Sequence, residues 1–206
     1  MRAGEEMEAD QLLDSAERFR PYWGSEGGIT VSGGEALMQI DFLLELFTKA
    51  KQRGITTCLD TSAQPFRRNE PFFGKFEQLM SVTDTVLLDI KHIRDAEHRR
   101  LTGHTNENIL DCARYLSERG VPVWIRHVLV PGITDNEDCL HQLATFISSL
   151  RNVQRVDVLP YHTLGIFKYE KLGIAYPLPD VPAPSVESVR RAQDMLSAAI
   201  QHPKSV

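Results

Sequence analysis

The sequence predicts an α/β fold built on a mostly parallel sheet, and three observations predict it. The spacing of apolar residues switches repeatedly between a helical period and short continuous runs. Five strand candidates alternate with four helical connections, an order that calls for right-handed crossovers between parallel strands. Each strand candidate ends in polar or charged residues after an apolar body. With 206 residues, 42% hydrophobic and 25% charged, the chain is long enough for one sizeable core, and the expectation is a single domain over residues 1–206.

The first segment sets Leu12, Ala16, Phe19 and Trp23 on one helical face, with Asp10 as its cap. A strand follows over Gly28–Ser32. The next helix runs to about Arg53, with Phe42, Leu43, Leu46 and Phe47 on its apolar face, and Gly54 ends it. The run TTCLDTS (Thr56–Ser62) reads as the second strand, Phe72–Met80 as a short helix and TVLLDIK (Thr85–Lys91) as the third strand. A helix over Asn106–Arg119 stops at Gly120, and Val121–Val130 is the longest strand candidate. Helix Asn136–Leu150 leads to the fifth strand, Val153–His162. Beyond it, Pro177, Pro179, Pro182 and Pro184 are too closely spaced for a helix interior and predict an extended strap. A last helix over Val186–Ile200 places Val189, Ala192, Leu196 and Ala199 on one face.

The formal net charge of −5 and pI near 5.8 argue against a general nucleic-acid binder, which would show a clustered basic surplus. The N-terminal stretch is acidic and has no apolar core, and no apolar run approaches membrane-spanning length. The expectations are therefore no membrane and a cytoplasmic location. Cys58, Cys112 and Cys139 are too widely spread for a CxxC or zinc-ribbon pattern, and their odd number argues against a disulfide framework. They read as buried free thiols.

Ligands of parallel sheets bind beyond the carboxyl ends of the strands, so the polar residues there are the informative ones. In GGITVSGGEALMQ, Gly33 and Gly34 leave a strand with no side-chain atoms, so a ligand can lie directly against peptide N–H and C=O groups. An amino-acid moiety matches such an edge; a plain strand-to-helix turn with Glu35 exposed fits the same residues. Asp60 and Asp89 follow apolar runs, where a carboxylate needs a cation or donors. Lys91, two residues beyond Asp89, falls on the same side, and a structural ion pair is the alternative there. Arg126 faces away from Ile125 and His127 and needs an anion, either a ligand carboxylate or a structural partner. His162, in LPYH, suits a site residue or a satisfied structural histidine.

Taken together, GGITVSGGEALMQ, TTCLDTS, VLLDIKH, WIRHVLVPGITD and LPYHTLGIFKYEKLGIAYPL resemble, in order and spacing, the radical S-adenosylmethionine (SAM) activases of glycyl-radical enzymes, those of pyruvate formate-lyase above all. The resemblance covers nearly the whole chain, from about residue 10 to the C-terminal helix. It implies a partial parallel (β/α) barrel in which the five strands correspond to the second to sixth of six units. Residues 10–162 would form the barrel and 163–206 a C-terminal strap and helix.

By the same resemblance, the backbone of Gly33-Gly34-Glu35 holds the amino group of SAM. Asp60, Thr61 and Asp89 help bind a monovalent cation near the SAM carboxylate, while Lys91 and His162 line the SAM pocket. In this family a 4Fe-4S cluster, reduced by a flavodoxin or ferredoxin-type partner, donates an electron to SAM. The resulting 5′-deoxyadenosyl radical takes a hydrogen atom from a backbone glycine of pyruvate formate-lyase or another glycyl-radical enzyme. No residue of this chain is expected to be catalytic in itself.

One departure stands out. The family's C-x3-C-x2-C, whose thiolates bind three of the cluster irons, is absent, and the spacing of Cys58, Cys112 and Cys139 cannot replace it. The expectation is a chain lacking the family's first strand and cluster loop, beginning inside the first helix and inactive as it stands. It would be a fragment, the outcome of a truncated gene model, or a degenerate product starting at an internal methionine. The alternative expectation is a cluster-free protein that binds SAM or a glycyl-radical enzyme.

Overall fold

The computed structural model describes residues 5–25 and 27–200. Met1–Gly4, which open the acidic N-terminal stretch, Glu26 and residues 201–206 lie outside the described residues, and with them both ends of the expected domain. The strands are β1 (Gly28–Val31), β2 (Thr56–Thr61), β3 (Thr85–Asp89), β4 (Val123–Leu129) and β5 (Val153–Pro160), ordered β1-β2-β3-β4-β5 in the sheet. The α/β class is as the sequence predicts. Contacts along the chain divide it into two compact units, one running up to Asp89 and adding Asn108–Val123, the other made of Ile90–Glu107 and the residues from Trp124 onward.

In the first unit β1, β2 and β3 pair in parallel, with Val31 beside Leu59 and Leu59 beside Val86. Side chains alternate across a strand. One face of β2 therefore carries buried Thr57, Leu59 and Thr61, and the other carries half-buried Thr56, Cys58 and Asp60. Helix α2 (Ile40–Gln52) buries Leu43, Leu46, Phe47 and Ala50 at helical spacing and packs against β2. Each such side chain contributes about 1.5–3 kcal/mol when fully withdrawn from water. Helices α1 (Ala9–Glu17) and α3 (Phe72–Met80) flank α2. Helix α5 (Glu107–Arg119) adds Tyr115, whose ring lies 5.8 Å from Phe76, itself edge-on to Phe66 at 5.0 Å.

The second unit buries Ile125, His127 and Leu129 of β4, Val156 and Val158 of β5, and Leu140, Leu143 and Ile147 of α6 (Glu137–Ser148). Helix α8 (Val186–Ser197) packs on β5 and α6 through Ala192 and Leu196, and its Ser185 cap accepts from the Ser188 N–H. Gln193 stands in for a neighbouring strand: its Nε2 donates to Val156 O at 2.7 Å, and its Oε1 accepts from Val158 N at 2.8 Å. Backbone groups of β5 thus find partners without another strand.

Three expectations need correction. Helix α1 ends at Glu17 rather than running on through Trp23, because Pro21 cannot continue it and a 3-10 turn forms over Arg20–Tyr22. Its buried face is Ala9 and Leu13, and Phe19 is exposed. Asp10 caps nothing: the Glu8 N–H finds the Gln11 side chain instead, and Asp10 pairs with Lys49 and Arg53 of the α2 end. Two further helices, α4 (Asp95–Thr102) and α7 (Ile166–Leu172), occupy stretches for which the periodicity gives no helix.

Candidate functional site

In the first unit the carboxyl ends of β1 and β2 are joined by one side chain. Glu35 caps a 3-10 turn over Ala36–Gln39, its Oε1 accepting from Leu37 N at 3.0 Å. The same oxygen accepts from the Thr61 hydroxyl at 2.5 Å, and Oε2 accepts from Ser62 N at 3.0 Å and the Ser62 hydroxyl at 2.6 Å. Four donors thus fill the carboxylate. Glu35 is not an exposed turn residue but a clasp between the β1 loop and the end of β2.

The clasp leaves Gly33 and Gly34 as bare backbone. Both have positive φ, 99° and 44°, which side chains disfavour, and a Cβ at either would meet nothing within 4 Å. Open space therefore borders these peptide groups, as an amino-acid ligand would require.

Asp60 and Asp89 end β2 and β3. Cys58 pairs with Thr85 and Asp60 with Leu87, so by alternation Asp60 and Asp89 share the half-buried face. Thr61 points the other way, with its hydroxyl donating to Glu35 and accepting from Ala63 N at 2.8 Å. Its side chain is thereby committed to the side opposite the aspartates. Ala63 itself sits at φ 54°, a left-handed conformation costing about 1–2 kcal/mol for a residue with a Cβ. Asn108 holds this turn, donating to the carbonyls of Ala63 and Gln64.

In the second unit His127 is the organising residue. Ile90 is tied to β4 at both peptide groups, its N–H donating to Arg126 O at 3.0 Å and its carbonyl lying 2.9 Å from His127 Nδ1. Nε2 lies 3.4 Å from Thr134 O, so a neutral ring, with one N–H, serves the nearer carbonyl. Burial pushes the His127 pKa down and keeps it neutral, against the smaller opposing effect of those two carbonyls. The Thr134 hydroxyl closes the same region, donating to Val128 O and accepting from Val130 N, each at 2.7 Å. The residue after Ile90 is Lys91, which is half-buried. It lies beyond the end of β3, so strand alternation does not align it with Asp89. Arg126 alternates with buried Ile125 and His127 as expected, and His162 is exposed just past β5.

Sequence reading missed the parts played by Ser62, His127, Thr134 and Asn108. The signals were a hydroxyl after the DT pair and a histidine in an apolar strand, but their partners lie far away in sequence.

The thiols do not form a metal donor set. Cys112 and Cys139 are buried, Cys58 is half-buried, and burial pushes the Cys112 and Cys139 pKa values up, away from thiolate. No group of three His, Cys, Asp or Glu among the described residues is placed to hold a metal ion. These cysteines therefore do not fit an iron-sulfur cluster. No helix among the described residues is long and apolar enough to cross a membrane.

Known proteins match this arrangement closely. The Radical SAM superfamily pattern matches residues 1–143. A pyruvate formate-lyase-activating enzyme of Streptococcus mutans is 53% identical over 191 residues, covering 93% of this chain and 73% of that protein. The corresponding enzyme of Staphylococcus aureus is 50% identical over 188 residues, covering 91% and 75%. Among solved structures, a domain of the pyruvate formate-lyase-activating enzyme from Bacteroides vulgatus superposes with a TM-score of 0.68 at 25% identity, covering 84% of this chain and 94% of that one. Fold, motif order and identity over nine-tenths of its length lead to one conclusion: the chain belongs to the pyruvate formate-lyase-activating enzymes of the radical SAM superfamily.

Proposed function

We propose that the chain holds the amino-acid end of S-adenosylmethionine at the Gly33–Gly34 backbone and serves the activation of pyruvate formate-lyase. The observation that carries this reading is the Glu35 clasp, which fixes two open glycines at the carboxyl edge of the sheet. The identity to activating enzymes supports the choice of partner. Asp60 and Asp89, on one face of β2 and β3, are suited to hold a monovalent cation against the ligand's carboxylate, with the Thr61 carbonyl as a third oxygen.

In the family, S-adenosylmethionine given one electron by an iron-sulfur cluster, for which the cysteines of this chain are no donor set, would supply the carbon-radical chemistry that converts a backbone glycine of the protein substrate to a glycyl radical. The residues of this chain bind and orient that cofactor. The thiols favour a second reading beside it: binding of S-adenosylmethionine or of the lyase without radical chemistry.

Titration calorimetry with S-adenosylmethionine tests the site. Gly34→Val places a branched side chain at φ 44°, in the space reserved for the ligand. It should weaken binding by about tenfold or more, since strain of this kind is worth about 1–3 kcal/mol. Lys51→Val, on the surface, should not. Equal affinities for Gly34→Val and the parent chain would overturn the assignment.

A further inference from the structure

We propose that the segment from Leu164 to Leu178 is the surface on which the protein substrate docks, and that the docked face of the substrate carries apolar side chains flanked by carboxylates. The inference rests on the activating role proposed above, and concerns where a macromolecular substrate is held. Helix α7 buries none of its residues, although its sequence, IFKYEKL, is largely apolar. Leu164 is 76% exposed, Phe167 50%, Leu172 63% and Ile174 55%. Apolar groups clustered this densely on a surface mark an interaction site.

The segment is nonetheless anchored. Ile174 N donates to Tyr169 O at 3.0 Å, the Tyr169 ring meets that of Tyr176 edge-on at 5.1 Å, and the Tyr176 hydroxyl lies 2.6 Å from that of Tyr161, just past β5. It thus presents its apolar groups from a fixed base. At its far end Pro177 and Leu178 join Leu101 and Ile133, with the charged Glu97 and Arg100 beside them, in lining a cavity of about 310 Å³, room for one side chain of a partner.

Charge selects the partner. Lys168 and Lys171 stand over the Phe167 ring, at 6.0 and 5.4 Å from its centre, and with exposed Glu170 between them leave the helix net positive in a chain of net charge −5. A second copy docking face to face would bring two lysines from each helix together with only Glu170 from each to offset them. An acidic, apolar face on a different protein would neutralise them.

The test is binding of the full chain to purified pyruvate formate-lyase from the same genome, by biolayer interferometry with S-adenosylmethionine present. Cofactor affinity is measured separately by calorimetry. Phe167→Ser/Leu172→Ser and Lys168→Glu/Lys171→Glu should each weaken lyase binding by about tenfold or more, with cofactor affinity and melting temperature unchanged, since α7 buries nothing. Added salt should weaken binding of the parent chain and not of the charge-reversed variant. Unchanged lyase affinity in both variants would overturn the inference. So would self-association of the parent chain that is lost in Phe167→Ser/Leu172→Ser. Cofactor binding without lyase binding would sink the docking surface alone; lyase binding through this segment without cofactor binding would sink the proposed function and leave the surface standing.

Discussion

Glu35 shows how one side chain can hold a loop against a strand end. Its four hydrogen bonds are charge-assisted and reach from the loop after β1 to the end of β2. Glu35→Gln would turn an amide N–H₂ toward donors on one side of the clasp. The expected cost is about 1–3 kcal/mol in urea unfolding, with a parallel loss of S-adenosylmethionine affinity; an unchanged midpoint and affinity would show that the clasp is dispensable. Asp95 provides a residue-scale dependence on pH. The Arg99 guanidinium, the Thr105 hydroxyl and the Asn106 N–H lower its pKa to about 2. A carboxylate lowered on folding adds stability above its unfolded pKa of about 3.9, and that stability is lost as pH falls through the folded value. Between about pH 4 and pH 2, therefore, melting temperature should fall more steeply for the parent chain than for Asp95→Asn. Parallel profiles would contradict the assignment.

Among the elements, α1 separates what periodicity can decide from what it cannot. Its sequence supports two overlapping apolar faces, and the face containing Leu12, Ala16 and Phe19 was the one expected. The structure buries Leu13 completely, while Arg53 draws in Asp10, Asp14 and Glu17 from the neighbouring turns. Burial of Leu13 sets the face, and the ion pairs to Arg53 at the end of α2 that accompany it have partners 36 to 43 residues away. Leu13→Ala should cost about 3 kcal/mol in thermal or chemical unfolding, as buried leucines do, and Phe19→Ala less than about 1 kcal/mol. The reverse order would restore the expected face. Helix α7 escaped notice for a related reason: seven residues with no buried side chain leave no apolar stripe to detect.

Across the whole molecule, the α/β class and the five strands were legible because apolar runs and their polar ends are local signals. Strand ends were displaced by one or two residues, as at β5, which stops at Pro160 rather than His162. Gly33, Gly34, Asp60 and Asp89 could be picked out by position alone. The commitments of Glu35 and His127 could not, since they depend on strand register and on carbonyls remote in sequence. The thiols allow a prediction for the chain: anaerobic reconstitution with ferrous iron and sulfide should leave it far below stoichiometric iron, because two thiols are buried and no three ligands converge among the described residues. Four irons per chain would refute this and remove the second reading. The division into two units, each assembled from separated stretches, has a consequence for biosynthesis. The first unit needs α5, whose Ile109, Cys112, Tyr115 and Leu116 are buried, so its core stays open until the ribosome has passed residue 123. The 34 residues from Asp89, the end of β3, to Val123 take roughly 2–7 s at about 5–20 residues per second. Meanwhile β1 to β3 emerge with part of their cover still unmade, which makes this nascent chain a candidate client for ribosome-associated chaperones.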